Sequence, residues 1–136
     1  MPLNGEPHAE VSGTEILKGV PVLVVEDAWH VAKFMSSILE QLDMDVVGPT
    51  ASAAEARRLV AIQRPEIALV DISLKQDMAY DLVEELHDQG VRVIIVTGYK
   101  SPVTAAKIAG SVEKPFNRRE LIAAMCACAR PTSTAC

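Results

Sequence analysis

The sequence predicts an α/β fold: a doubly wound, five-stranded parallel sheet with helices on both faces. Three observations lead there. Short apolar runs alternate with amphipathic helical stretches along the chain. The runs, such as Val22-Leu23-Val24-Val25 and Val93-Ile94-Ile95-Val96, are continuously apolar, so both faces of each strand are buried. With helices between them, such strands run parallel through right-handed crossovers.

The elements follow in order. Residues 1–19 carry Pro2, Gly5, Pro7 and Gly13 and little periodicity, which reads as a flexible leader where Ile16 and Leu17 can pack locally. The first strand is Val22–Val25. Val31, Phe34, Met35, Ile38, Leu39 and Leu42 then recur at the spacing of one helical face. A second strand at Asp45–Val47 is closed by Gly48-Pro49. Ser52-x-x-Glu55 is a capping-box signal, opening a helix that buries Ala56, Leu59, Val60 and Gln63. Pro65 stops it. The third strand, Ile67–Val70, leads through a loop to a helix at Tyr80–Gln89, with Leu82, Val83 and Leu86 inward and Gly90 as C-cap. The fourth strand is Arg92–Val96 and the fifth Ser111–Glu113. A last helix opens at Asn117, with Glu120 three residues on, and buries Leu121, Ile122 and Met125. The domain spans 20–130, and 131–136 is a frayed tail.

Composition excludes several functions. The chain has 136 residues, enough for one domain with a proper core. Its 13 basic and 18 acidic residues leave a net charge of −5, a poor basis for binding nucleic acid. No apolar stretch approaches the roughly 18–20 residues of a membrane span, and no secretory signal is present. A cytoplasmic location is expected. Cys126, Cys128 and Cys136 lie near the C-terminus without the spacing of a zinc site, and read as small residues of the last helix and an exposed tail thiol. His8, His30 and His87 read as solvated, and Trp29 as partly exposed packing.

Each strand delivers polar groups at its C-terminal end: Glu26-Asp27 after the first, Asp71 after the third, Thr97-Gly98 after the fourth and Lys114-Pro115 after the fifth. In a parallel sheet that edge is where sites form. Three carboxylates, a hydroxyl and an ammonium suit a divalent metal and an incoming phosphoryl group. Taken singly, an Asp at a strand end is as often a helix cap, and a Lys-Pro pair is usually a loop. Four strand ends in order outweigh those readings.

With those motifs, the stretch from about Val20 to Ala129 resembles the receiver domain of two-component response regulators. The resemblance implies a flavodoxin-like sheet of order 2-1-3-4-5. It implies Asp71 as phosphoacceptor, and a magnesium ion held by Glu26, Asp27, Asp71 and the backbone carbonyl of Ser73. It implies Thr97 and Lys114 as phosphoryl contacts. The Gly98 N–H joins them, since glycine has no side chain to obstruct its approach. The expected partner is a histidine kinase or phosphotransfer protein. No room for an output domain follows Ala129, so signalling by protein contact, or service as a phosphate sink, is expected.

The chain also departs from the family. Lys114 comes only 17 positions after Thr97, fewer than receivers usually have, so the fourth helix, within Tyr99–Gly110, is expected to be short or irregular. Ser111 occupies the place of the usual switch aromatic, three residues before the lysine. The Thr97-Gly98-Tyr99 signature and the loop Asp71-Ile72-Ser73-Leu74 are similar to a subgroup of single-domain receivers with a short or absent fourth helix, and Tyr99 is a candidate alternative mobile aromatic. Ser73 and Tyr99 flank the expected path of a hydrolytic water and are candidates for setting phosphoryl lifetime. Two other readings compete. A pseudo-receiver would keep the fold as a constitutive interaction module. A hydrolase of the haloacid dehalogenase type would need an acid where Ser73 stands.

Overall fold

Each apolar run is rich in Val and Ile, whose branched side chains fit a strand buried on both sides. The computed structural model describes residues 13–72, 79–98 and 108–129. The strands are β1 (Pro21–Val25), β2 (Asp45–Thr50), β3 (Ile67–Asp71), β4 (Arg92–Thr97) and β5 (Gly110–Glu113). The helices among the described residues are α1 (Trp29–Gln41), α2 (Ala53–Ile62), α3 (Tyr80–Asp88) and α4 (Arg118–Ala129). The sheet is parallel, in the order β2-β1-β3-β4-β5, as expected. No described helix is long and apolar enough to cross a membrane.

Alternation along each strand divides the core into two layers. Val22, Val24, Ile67, Leu69, Ile94 and Val96 pack against Met35, Ile38 and Leu39 of α1 and Leu121 and Met125 of α4. Leu23, Val25, Ala68, Val70, Val93 and Ile95 face Ala56 and Val60 of α2 and Leu82, Val83 and Leu86 of α3. Truncating a central residue such as Leu69, fully buried, costs about 2–5 kcal/mol through lost transfer energy and the cavity left behind. The helix starts are fixed by side chains. Ser52 Oγ accepts the Glu55 N–H at 3.0 Å, while the Glu55 carboxylate pairs with Arg58. Asn117 and Glu120 exchange both bonds of a capping box, at 2.8 and 2.9 Å. Gly90, at φ +88°, ends α3 in the left-handed region that L side chains avoid.

Several expectations need correction. β2 does not stop at Val47 but continues through Gly48-Pro49 to Thr50. Phe34 is not a core residue: it is 44% exposed and meets the Phe116 ring at 5.8 Å. Gln63 is exposed and donates to Asp45 at 2.6 Å. Trp29 is largely exposed, with the Lys33 ammonium 5.6 Å from its ring. Of the stretch read as a leader, Thr14–Leu17 forms a 3-10 turn, and Leu17 is fully buried in the α1–α4 layer. Cys126 and Cys128 are both buried, and neither forms a disulfide among the described residues. Burial pushes the Cys128 thiol up to about 11, so it is inert at neutral pH. The leader to residue 12, the fourth-helix stretch 99–107 and the tail from residue 130 lie outside the described residues.

Candidate functional site

Register brings the polar groups together. Val25 pairs with Val70, Asp71 with Val96 and Thr97 with Glu113, so the chain exits β1, β3, β4 and β5 at one edge. Glu26 and Asp27 follow β1, Asp71 and Thr97 end their strands, and Lys114 follows β5. The Lys114 N–H donates to the Thr97 carbonyl at 2.6 Å, which carries the lysine to the site.

The carboxylates of Glu26, Asp27 and Asp71 each offer an oxygen within 4.8 Å of the others. Glu26 is 2% exposed and Asp71 3%, with Asp27 half-buried. The Lys114 Nζ donates to Glu26 Oε2 at 3.2 Å and to Asp71 Oδ2 at 3.4 Å. The Ala28 N–H also donates to Glu26 Oε2, at 3.2 Å. Glu26 Oε1 is buried with no hydrogen-bond partner. Leaving such an oxygen unsatisfied costs about 1–3 kcal/mol. Burial, helped by the charge of Asp71, pushes the Glu26 carboxyl up to about 7 against the lowering effects of the Ala28 N–H and Lys114.

These features fit a divalent cation. Three acids crowd together with an ammonium held between two of them, and one acid presents a buried oxygen to nothing. A hard cation takes carboxylate oxygens and relieves their repulsion.

Among the other sequence-predicted residues, Thr97 is 5% exposed beside Asp71, and Gly98 is exposed where a side chain would meet nothing within 4 Å. Ser111 is exposed on β5, opposite Ile95. Ser73 and Tyr99 lie outside the described residues. Sequence reasoning missed Thr50, whose carbonyl accepts the Glu26 N–H at 2.9 Å and tethers the start of the acid pair. It also missed the Ala28 N–H. A Gly-Pro pair within a strand is a bulge signal, and it could have led to Thr50.

A family model described as response regulator receiver domain matches residues 22–126. Among curated proteins, the transcriptional regulatory protein DesR of Bacillus subtilis is 27% identical over 84 residues, covering 61% of this chain and 42% of that protein. A protein-glutamate methylesterase/protein-glutamine glutaminase of a Nocardioides species is 33% identical over 88 residues, covering 64% of this chain and 22% of that protein. The chain thus spans less than half the length of these curated relatives. Among solved structures, the response regulator PhyR from Brucella abortus superposes with a TM-score of 0.74 at 26% identity, covering 88% of this chain and 52% of that one. A CheY-like receiver domain protein from Methanospirillum hungatei superposes with a TM-score of 0.71 at 26% identity, covering 79% and 91%. Five parallel strands in this order, with the acids gathered at their carboxyl ends and a family match over most of the chain, have one reading: the chain belongs to the response regulator receiver domain family of two-component signalling.

Proposed function

We propose that Asp71 accepts a phosphoryl group from a histidine kinase or phosphotransfer protein in a magnesium-dependent reaction. The observation that carries this reading is the convergence of Glu26, Asp27 and Asp71 within 4.8 Å, with Lys114 reaching two of them. Glu26, Asp27, Asp71 and the Ser73 carbonyl hold the ion in this reading. The cation supplies positive charge against the carboxylates and the phosphoryl oxygens. An Asp71 carboxylate oxygen attacks phosphorus, and the bond from phosphorus to the donor nitrogen breaks. The Lys114 ammonium steadies the charge on the transferred group, which is most of what catalysis of this step requires. The Thr97 hydroxyl and Gly98 N–H donate to the new phosphoryl oxygens, so the end of β4 registers their arrival. Trp29, just beyond Asp27, and Phe34 further along α1 are exposed apolar side chains available to a partner.

The domain then signals by contact with another protein, in the cytoplasm, or drains phosphoryl groups from its kinase. Tyr99, Ser111 and Ser73 are the residues proposed to tune switching and lifetime. Intact mass after incubation with acetyl phosphate, with and without magnesium, tests the core of this reading. A phosphoryl adduct that needs magnesium and vanishes in Asp71→Asn is expected. No adduct on the folded wild-type chain would leave the pseudo-receiver, a constitutive interaction module, as the better account.

A further inference from the structure

β2 contains one residue too many for the strand it pairs with. Leu23 faces Val47, but two positions on, Val25 faces Thr50, three positions beyond Val47. The extra residue lies at Gly48-Pro49, a β-bulge. Burial shows it independently: Val47 and Thr50 are both buried, three apart, where a regular strand returns to the same face every second residue. Without the bulge, Pro49 would face Val25 and Thr50 would turn to the opposite face.

Thr50 is where the bulge reaches the site. Its carbonyl accepts the Glu26 N–H at 2.9 Å. Its Oγ1 accepts the Ser52 N–H at 3.3 Å, and Ser52 in turn caps α2. The first metal-ligand candidate is therefore tied, through one backbone bond, to a residue whose height and facing the bulge decides. The turn itself strongly favours glycine. Gly48 has φ +95°, and a Cβ there would lie 3.1 Å from the Thr50 nitrogen and 3.2 Å from the Val24 oxygen, both backbone atoms. A side chain could enter only by moving Thr50 or the end of β1, and both lead to Glu26.

We propose that Gly48 is a positioning residue for the acid pair: the bulge it permits sets the Thr50 carbonyl, and so the place of Glu26 and Asp27 over Asp71. This rests on the reading of those acids as cation ligands. Gly48 has no side chain to offer and is not itself one of the proposed ligands. The general precedent is that groups which orient metal ligands change affinity about 10- to 100-fold when lost.

The test compares Gly48→Ala with Gly90→Ala. Gly90 has a similar φ, +88°, but a Cβ there meets nothing within 4 Å, so it carries the backbone strain without the contact. Magnesium affinity is measured by calorimetry on the full chain, and exchange of the Glu26 amide by NMR without metal. The expected result is a magnesium affinity about tenfold weaker in Gly48→Ala, with faster Glu26 exchange and both readings unchanged in Gly90→Ala. Wild-type affinity in a folded Gly48→Ala overturns the inference while leaving the proposed function intact. A wild-type chain that binds no magnesium overturns both. Should Gly48→Ala not fold, Pro49→Gly, which loosens the bulge without crowding it, decides. Weakened magnesium binding with faster Glu26 exchange supports the proposal, and unchanged values for both overturn it.

Discussion

β1 and β3 lie inside the sheet, with every residue from Val22 to Val25 and from Ile67 to Asp71 buried, whereas β5 is a four-residue edge strand with Val112 alone buried. The two carry opposite charges to the same site. The central strands deliver carboxylates that are fixed and stripped of water, Glu26 and Asp71. The edge strand delivers Lys114, whose side chain keeps 27% of its surface and reaches both acids at the end of a flexible stem. The negative half is thus preset at a cost, and the positive half can adapt. A site built this way fixes the positions of its acids while leaving the lysine at the edge of the sheet free to adjust.

The largest expected break in this contrast comes from pH. In the cation-free protein the Glu26 carboxyl is raised from 4.5 to about 7, so the folded state keeps a proton that the unfolded state loses. Stability should therefore fall as pH rises from about 4.5 through 7, and flatten above. A loss of Tm of about 5–10 °C across that window is expected, judged from the size of such shifts. Glu26→Gln should remove most of it, and magnesium should reverse it at pH 8. Equal Tm values at pH 5 and pH 8 without metal would show that Glu26 is not desolvated as described.

Next is the adaptable half. Lys114→Met leaves two buried acids without their ammonium. The partial exposure of the lysine limits the cost to about 1–2 kcal/mol at pH 7. The same change should move the pH window of Glu26 upward, because Lys114 is one of the groups holding its pKa down. Urea titrations at pH 6 and pH 8 read both effects, and a wild-type profile would place Lys114 outside the electrostatics of the site.

The smallest effect marks where the contrast ends. Arg57 of α2 grips Glu85 of α3 with two bonds, at 2.7 and 3.1 Å, but both side chains are over 40% exposed. Arg57→Ala should cost at most about 1 kcal/mol, and its effect should shrink in high salt. Magnesium affinity should not change. A large loss of affinity would mean that the α2–α3 surface is coupled to the site in a way the contacts do not explain.

Much of this molecule was legible in the order of its residues. Continuous apolar runs such as Val93–Val96 could only be strands buried on both faces, and the helices between them dictated a parallel sheet. Polar residues at the ends of those runs had to collect at one edge. The Asn117–Glu120 box was visible because its bonds are local. Phe34 misled because it continues the apolar period of α1 at a position where α1 has already turned toward solvent and Phe116. Leu17 reads as packing only locally, since nothing local shows that a short turn before β1 will reach α4.

Sequence alone determined which polar groups this chain carries and at which end of the sheet they gather, because periodicity and strand-end residues are local properties. Tertiary structure decided how the groups meet. The bulge that puts Thr50 opposite Val25, the burial that raises Glu26, and the unpartnered Glu26 oxygen all arise from pairing between distant segments. Register and desolvation belong to neighbours in space, and a chain shows those neighbours only once it is folded.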